Sequence, residues 1–137
     1  MHTESMIALD LARRLRDAGL RWQPAPGDRF VVPDKGMDDD VFVISDMVVE
    51  VQSTPTGDIL GFNGITEWAL DSVQRDDVVW MPREQQLRDL LGTQFVRLEA
   101  HEPGYVVVIN KEGTEHREAD GDAESAYARA LLIVLAA

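Results

Sequence analysis

The chain has 137 residues, of which 45% are apolar and 28% charged, and it contains no cysteine. This composition is typical of a globular protein and excludes a disulfide framework, a thiolate metal site and a thiol nucleophile. Because the length suits one hydrophobic core, we expect residues 1–137 to form a single globular domain.

The net charge is −12, and acidic residues outnumber basic ones in both halves of the chain. Nucleic acids and anionic membranes attract local positive charge, so we expect direct binding to neither. The amino-terminal stretch MHTESMIALDLARRL lacks the unbroken apolar run of a secretory signal. No window reaches the roughly eighteen apolar residues that span a bilayer. The cytoplasm is therefore the expected location.

An amphipathic helix is predicted at the start of the chain. Ile7, Leu11 and Leu15 recur every four residues, and Gly19 is placed to end the helix. These signals predict a helix from Thr3 or Ser5 to Ala18.

Short strands and turns are predicted next, because β-branched residues alternate with proline and glycine. The predicted strands are Phe30–Val32, Val41–Gln52 and Ile59–Phe62. The second reads either as two strands joined at Ser45–Asp46 or as one bent strand. A turn at Thr54–Asp58 then indicates an antiparallel hairpin.

Two central helices are predicted after these strands. Thr66 can cap the first, whose inner face would hold Ala69, Leu70 and Val73. The second would carry Pro82 in its first turn and stop at Gly92. Its expected buried residues are Leu87, Leu90 and Leu91.

The last third predicts a meander followed by a helix. The strands are Phe95–Ala100, Tyr105–Asn110 and a weaker one at Thr114–Glu118. Asp122 can cap a closing helix that runs to Leu135. The order of elements predicts an α+β fold: an antiparallel sheet of two meanders or hairpins, with N-terminal, two central and C-terminal helices packed on it.

Metal binding is not expected. The acidic loop of Asp34, Asp38, Asp39 and Asp40 lacks the alternating oxygen ligands of a calcium loop. The histidines His2, His101 and His116 lack zinc spacing. We predict no metal site and no cofactor.

Catalytic residues are also not expected, because none of the serines lies in a nucleophile elbow and the many carboxylates give no specific pair. One acid-base arrangement stays open. His101 and His116 could meet across a hairpin, with Glu99 or Glu118 orienting one ring.

The best candidate binding surface is aromatic. It comprises Trp22, Phe62, Asn63, Glu67, Trp68 and Trp80. Large aromatic side chains are enriched in binding anchors but also form much of a small core, so both interpretations are open. Trp68 follows a helix cap and Trp80 precedes a helix, positions where an indole can lie half exposed over a groove.

A family resemblance is carried by the segments DRFVVP, DMVVEV, FNGITEWALDSV, WMPREQQLRDLLG and SAYARALLIVL. Over nearly the whole chain, these resemble short actinobacterial proteins of unassigned activity, many catalogued as pilus assembly protein CpaE. Full-length CpaE proteins resemble MinD-type ATPases, whose nucleotide site needs a glycine-rich loop carrying lysine. The only lysines here, Lys35 and Lys111, close no such loop. The resemblance therefore implies neither ATP hydrolysis nor a catalytic residue.

The function predicted from these observations is a non-enzymatic cytoplasmic protein-protein interaction module. The acidic net charge favours a basic or amphipathic protein or peptide as the partner. One alternative is an acidic, DNA-mimic-like inhibitor of a nucleic-acid-binding protein. Another is a small hydrolase that uses carboxylates. A homo-oligomer built on the apolar closing helix is compatible with each.

Overall fold

The computed structural model describes residues 6–32, 41–44, 48–54, 57–63, 72–74 and 78–136, with the backbone alone for 48–54, 57–63 and 72–74. Its helices are α1 (Leu9–Asp17), α2 (Glu84–Leu91) and α3 (Ala123–Leu135). Its strands are β1 (Arg29–Val31), β2 (Phe42–Val43), β3 (Val48–Thr54), β4 (Gly57–Asn63), β5 (Ser72–Gln74), β6 (Val79–Trp80), β7 (Phe95–His101), β8 (Gly104–Lys111) and β9 (Thr114–Asp120). All strand pairs in this part of the chain are antiparallel, so the predicted α+β class is confirmed.

The chain divides into two compact units. We call Trp22–Trp80 the central unit, and Met1–Arg21 together with Met81–Ala137 the terminal unit. The central unit holds sheets of strand order β2-β1-β6 and β3-β4-β5, and the terminal unit holds the sheet β7-β8-β9. The single-domain organisation of the whole chain stays a prediction.

The predicted hairpin of the central unit is confirmed. Strands β3 and β4 pair along their whole length, from Val48 opposite Asn63 to Thr54 opposite Gly57. The segment that precedes the hairpin is two strands rather than one bent strand, because β2 pairs with β1 in a different sheet.

The first predicted central helix was wrong at its end. Ser72 and Val73 lie in β5, where Val73 pairs with Leu60 of β4. Valine favours strands even where its position fits a helical spacing. Here the pairing with β4 places Val73 in a strand and not in a helix. Residues 64–71, which include the proposed cap Thr66, lie outside the described residues.

Helix α1 begins later than predicted because its N-terminal groups are satisfied from elsewhere in the chain. The N–H of Ile7 donates to the Glu124 carboxylate at 3.0 Å, and the N–H of Ala8 donates to the Ser125 hydroxyl at 3.0 Å. The first residue of the helix is Leu9, so the predicted start at Thr3 or Ser5 was wrong. The predicted stop is confirmed, since Gly19 has a φ of 106°.

Helix α2 begins at Glu84, so Pro82 precedes the helix instead of occupying its first turn. Leu87 and Leu91, four residues apart, are buried as predicted, but Leu90 is 40% exposed. Leu90 lies one residue off the buried stripe, toward solvent. The helix ends at Gly92, which has a φ of 59°, as predicted.

The terminal unit is organised around α3. This helix packs against β8 and β9 of the predicted meander, and α1 and α2 pack against it in turn. Asp122 caps it by accepting the N–H of Ser125 at 2.9 Å, which confirms the predicted cap. Its fully buried residues include Ala126, Tyr127 and Ala130, a pattern typical of a helix surrounded by neighbours.

Candidate functional site

A row of aromatic side chains crosses the first sheet of the central unit. Phe30 on the middle strand β1 lies opposite Phe42 on β2 and opposite Trp80 on β6, so the three share one face. The ring centroids of Phe30 and Phe42 are 5.5 Å apart, and that of Trp22 is 5.6 Å from Phe30. Val32, Ile44 and Val78 complete this cluster. The cluster is the core of that sheet.

Trp22 lies inside this core and offers almost no surface to a partner. It is 6% exposed, and its indole Nε1–H donates to the Asp28 carboxylate at 2.8 Å. The same carboxylate oxygen accepts the N–H of Ala25 at 3.1 Å. A buried indole needs an acceptor for its N–H, and Asp28 supplies it. Of the two roles open for this residue, its geometry is that of the core.

Trp80 is different, because it is half-buried and packs only along the margin of the same cluster. Its Nε1 atom is enclosed and has no hydrogen-bond partner among the described residues. An enclosed donor without an acceptor costs about 1–3 kcal/mol. Trp80 is therefore a half-buried indole whose N–H group is enclosed and unused.

The remaining residues of the predicted binding surface have no described side chains. Phe62 and Asn63 end strand β4, opposite Val49 and Val48. Glu67 and Trp68 lie outside the described residues. Whether these four join Trp80 in one surface stays a prediction.

Two carboxylates that sequence reasoning did not single out are buried in the structure. Asp28, in the central unit, is 5% exposed, and Glu124, in the terminal unit, is 7% exposed. Both oxygens of Glu124 accept backbone N–H groups, from Ile7 at 3.0 Å and from Glu84 at 3.1 Å. Glu124 thus satisfies the N-terminal ends of two helices at once. The only local signal was its place in the first turn of the closing helix.

A second cluster that the sequence did not reveal surrounds Tyr127. Its hydroxyl accepts hydrogen bonds from Arg88 Nη2 at 3.0 Å and Nε at 3.3 Å. The Arg88 guanidinium lies 4.6 Å from the ring centroid of Phe95, which stacks on Tyr127 at 5.7 Å. Burial raises the pKa of the Tyr127 hydroxyl, against the opposing effect of Arg88. The arrangement fixes α2 against α3 and the start of β7.

An ionic cluster lies on the face of the β7-β8-β9 sheet opposite α3. The Glu99 carboxylate accepts hydrogen bonds from Arg117 Nη2 at 2.7 Å, His101 Nε2 at 2.7 Å and Arg97 Nε at 2.6 Å. These bonds, that from Arg117 first, hold the pKa of Glu99 well below its usual range. Glu99 on β7 and Arg117 on β9 thus join the two outer strands across β8.

The acid-base pair of histidines is not formed. His101 lies on the same face as Glu99, and its Nε2 atom is 2.7 Å from the Glu99 carboxylate. His116 shares a face with Asp120, which bonds Arg129 of α3 at 2.9 Å. The two histidines therefore lie on opposite faces of one sheet, because side chains of a strand alternate.

The described ranges contain neither a metal-binding group nor a membrane-spanning helix. No group of three His, Asp or Glu side chains there is placed to hold a metal ion. The acidic loop from Asp34 to Asp40 lies outside those ranges. None of the described helices combines the length and apolar character that crossing a bilayer requires.

Comparisons with protein-family models, with curated proteins and with solved structures found no match for this chain. The resemblance to the short CpaE-like proteins therefore stays a prediction.

Proposed function

We propose that this protein is a non-enzymatic interaction module that binds a basic or amphipathic protein or peptide. The observation that carries the proposal is the pair of open edges on the β7-β8-β9 sheet. Strands β7 and β9 are each seven residues long, and within the described part of the chain each pairs with β8 alone. Apart from Phe95 of β7, whose N–H donates to the Gly92 carbonyl, no residue of either strand has another backbone partner there.

A polypeptide is the natural occupant of such an edge. An open strand presents N–H and C=O groups at a regular spacing, and only another extended backbone offers the matching row. Added-strand binding uses main-chain hydrogen bonds for affinity and side chains for selectivity. This geometry supports a protein partner over a small molecule.

Charge supports a basic or amphipathic partner. With a net charge of −12, the protein attracts positive surfaces and repels negative ones over a distance set by the salt concentration. We therefore propose that association is accelerated by electrostatic attraction and slows as salt is added.

The aromatic residues supply a second proposed contact. Trp80 is half-buried and packs against the aromatic cluster of the first sheet, and tryptophan is enriched among binding anchors. Phe62, Asn63, Glu67 and Trp68 are proposed to line the surface beside it. Trp22 is left out, because it is buried in the core.

The test is to crosslink the protein to its partners in native cells, identify the partner and then titrate the purified pair. We expect affinity to fall as salt rises. We also expect Trp80→Ala to weaken binding more than Leu90→Ala, a control that truncates an exposed apolar side chain. Competition with DNA for the same partner would favour the inhibitor alternative. An affinity indifferent to salt and to Trp80→Ala would contradict the proposal. Cell fractionation tests the proposed cytoplasmic location.

A further inference from the structure

The turn between β8 and β9 determines which backbone groups face outward. It consists of Glu112 and Gly113, with φ values of 54° and 84°, and Lys111 lies directly opposite Thr114. Two central residues with positive φ are typical of a two-residue type I′ turn, whose flanking residues hydrogen-bond to each other. The N–H and C=O of Thr114 therefore point toward β8.

Backbone groups alternate in direction along a strand, so those of His116 and Glu118 also point toward β8. The groups of Glu115, Arg117 and Ala119 then point away from the sheet. All three residues are exposed, and none has a further hydrogen-bonding partner that would occupy these groups. The outer edge of β9 thus offers three consecutive outward N–H and C=O pairs.

The charge of this edge is set by the ionic cluster. Arg117 is the one basic side chain of β9 besides His116, and Glu99 draws its guanidinium inward over β8 through a bond of 2.7 Å. Glu115 and Glu118 remain along the edge, on opposite faces of the strand. Neither has an ion pair among the described residues. Each face of the β9 edge therefore carries one glutamate, Glu115 beside Arg117 on one face and Glu118 on the other.

The opposite edge of the same sheet is less suited to an added strand. The pairing of β7 with β8 is irregular between Phe95 and Arg97, which places a bulge at Val96. A bulge interrupts the row of outward groups and twists the edge away from a neighbour. Strand β9 pairs in unbroken register from Thr114 to Asp120.

We infer that the outer edge of β9 is the docking strand of this protein, and that its occupant is an extended segment of a partner carrying two basic residues three positions apart. Residues three apart in a strand point to opposite faces, so one basic side chain meets Glu115 and the other meets Glu118. The same acidic side chains repel acidic segments, which gives selectivity. The inference rests on the proposed function and specifies its site.

The test uses the whole chain and short synthetic peptides of alternating threonine and valine. One peptide carries two lysines three positions apart, a second carries them side by side, and a third carries glutamates instead. We expect the first to bind about tenfold more tightly than the second, and the third not to bind. On binding, amide hydrogen exchange slows at Glu115, Arg117 and Ala119, whereas His116 and Glu118, already bonded to β8, stay unchanged.

Variants separate the edge from other surfaces. Ala119→Pro removes one outward N–H without removing a bond to β8, and proline is tolerated on an edge strand. Peptide affinity falls about tenfold in this variant and is retained in Ala119→Ser, which keeps the N–H. Should the proline variant not fold, the double reversal Glu115→Lys with Glu118→Lys tests the same edge, because it inverts the preference among the peptides.

Three results with the peptides and in sedimentation would overturn the inference. The first is the absence of peptide binding, and the second is peptide binding that slows amide hydrogen exchange elsewhere in the sheet. The third is a dimer, seen in sedimentation, that Ala119→Pro abolishes. Such a dimer would assign the edge to a second copy of the chain. A native partner that binds Ala119→Pro and the double reversal with unchanged affinity also overturns it, while leaving the interaction module intact. If crosslinking in native cells finds no partner for this protein, that result contradicts the proposed function itself.

Discussion

Replacing Glu124 should destabilise the terminal unit more than any other single loss of a carboxylate there. This side chain is 7% exposed and accepts the N–H of Ile7 at 3.0 Å and of Glu84 at 3.1 Å. Glu84 is the first residue of α2, and Ile7 lies just before α1. One carboxylate therefore joins the starts of two helices to the start of a third.

The expected magnitude follows from these two bonds. Each hydrogen bond to a charged group contributes about 1.5–3 kcal/mol, and a buried donor left without an acceptor carries a further cost. Glu124→Gln keeps one acceptor but turns its NH₂ group toward the other N–H, so we expect a loss of about 1–3 kcal/mol. Glu124→Ala removes both acceptors and leaves a cavity, so we expect about 3–5 kcal/mol.

The assay is urea unfolding followed by circular dichroism at a helix-sensitive wavelength, because all three described helices belong to the terminal unit. Glu102→Gln removes the same charge from an exposed turn and serves as the control, with an expected change below about 0.5 kcal/mol. If both Glu124 variants unfolded within that same margin of the wild type, Glu124 would not be the joint between these helices.

Three further predictions concern other polar contacts. Trp22→Phe removes the donor to Asp28 and should cost about 1–2 kcal/mol in urea unfolding followed by tryptophan fluorescence. Asp122→Ala removes the cap of α3 and should cost about 1 kcal/mol, whereas Asp122→Asn, which keeps an acceptor, should cost less. Because the folded pKa of Glu99 is lowered from the ordinary value of 4.5, its stabilising effect is present above that pH and is lost as pH falls below it. The gap in urea midpoint between wild type and Glu99→Gln should accordingly narrow as the pH is lowered from neutral to about 3. A gap that stayed constant would contradict this reasoning.

Local signals predicted the terminal unit well. The three strands of its meander are joined by two-residue turns at Glu102–Pro103 and Glu112–Gly113, and its closing helix begins at an aspartate that caps it. Gly19 and Gly92 end their helices with positive φ, which few other residues adopt. Each of these features depends on the residues nearest in sequence, so a reading of the sequence could find it.

Features that depend on distant residues were not predictable in the same way. Helix α1 starts after Ala8, whose side chain cannot cap a helix, because Glu124 and Ser125 supply the acceptors. Val73 fits a helical spacing, yet it pairs with Leu60 of β4 in a sheet. In both cases a contact formed in the folded chain outweighs the local preference.

The candidate site shows the same limit. Trp22 and Trp80 looked alike in sequence, since each lies just before a proline. Their different burial comes from the strand order, which places β6 at the margin of its sheet, and from Asp28, which satisfies only one of the two indoles. The open edge of β9 was likewise invisible, because sequence indicates that a strand exists but not which of its sides is left unpaired.

The buried carboxylates also bear on the hydrolase alternative. A general acid or base must exchange its proton with a substrate, so its oxygens need access to that substrate. The oxygens of Glu124 hold the N–H groups of two helix starts, and Oδ2 of Asp28 holds an indole and a backbone N–H. Releasing either carboxylate for chemistry would expose these donors and loosen the fold. A carboxylate-dependent hydrolase would therefore have to use other acidic residues of this chain, whereas exposed Glu115 and half-buried Glu118 lie on the strand proposed for docking.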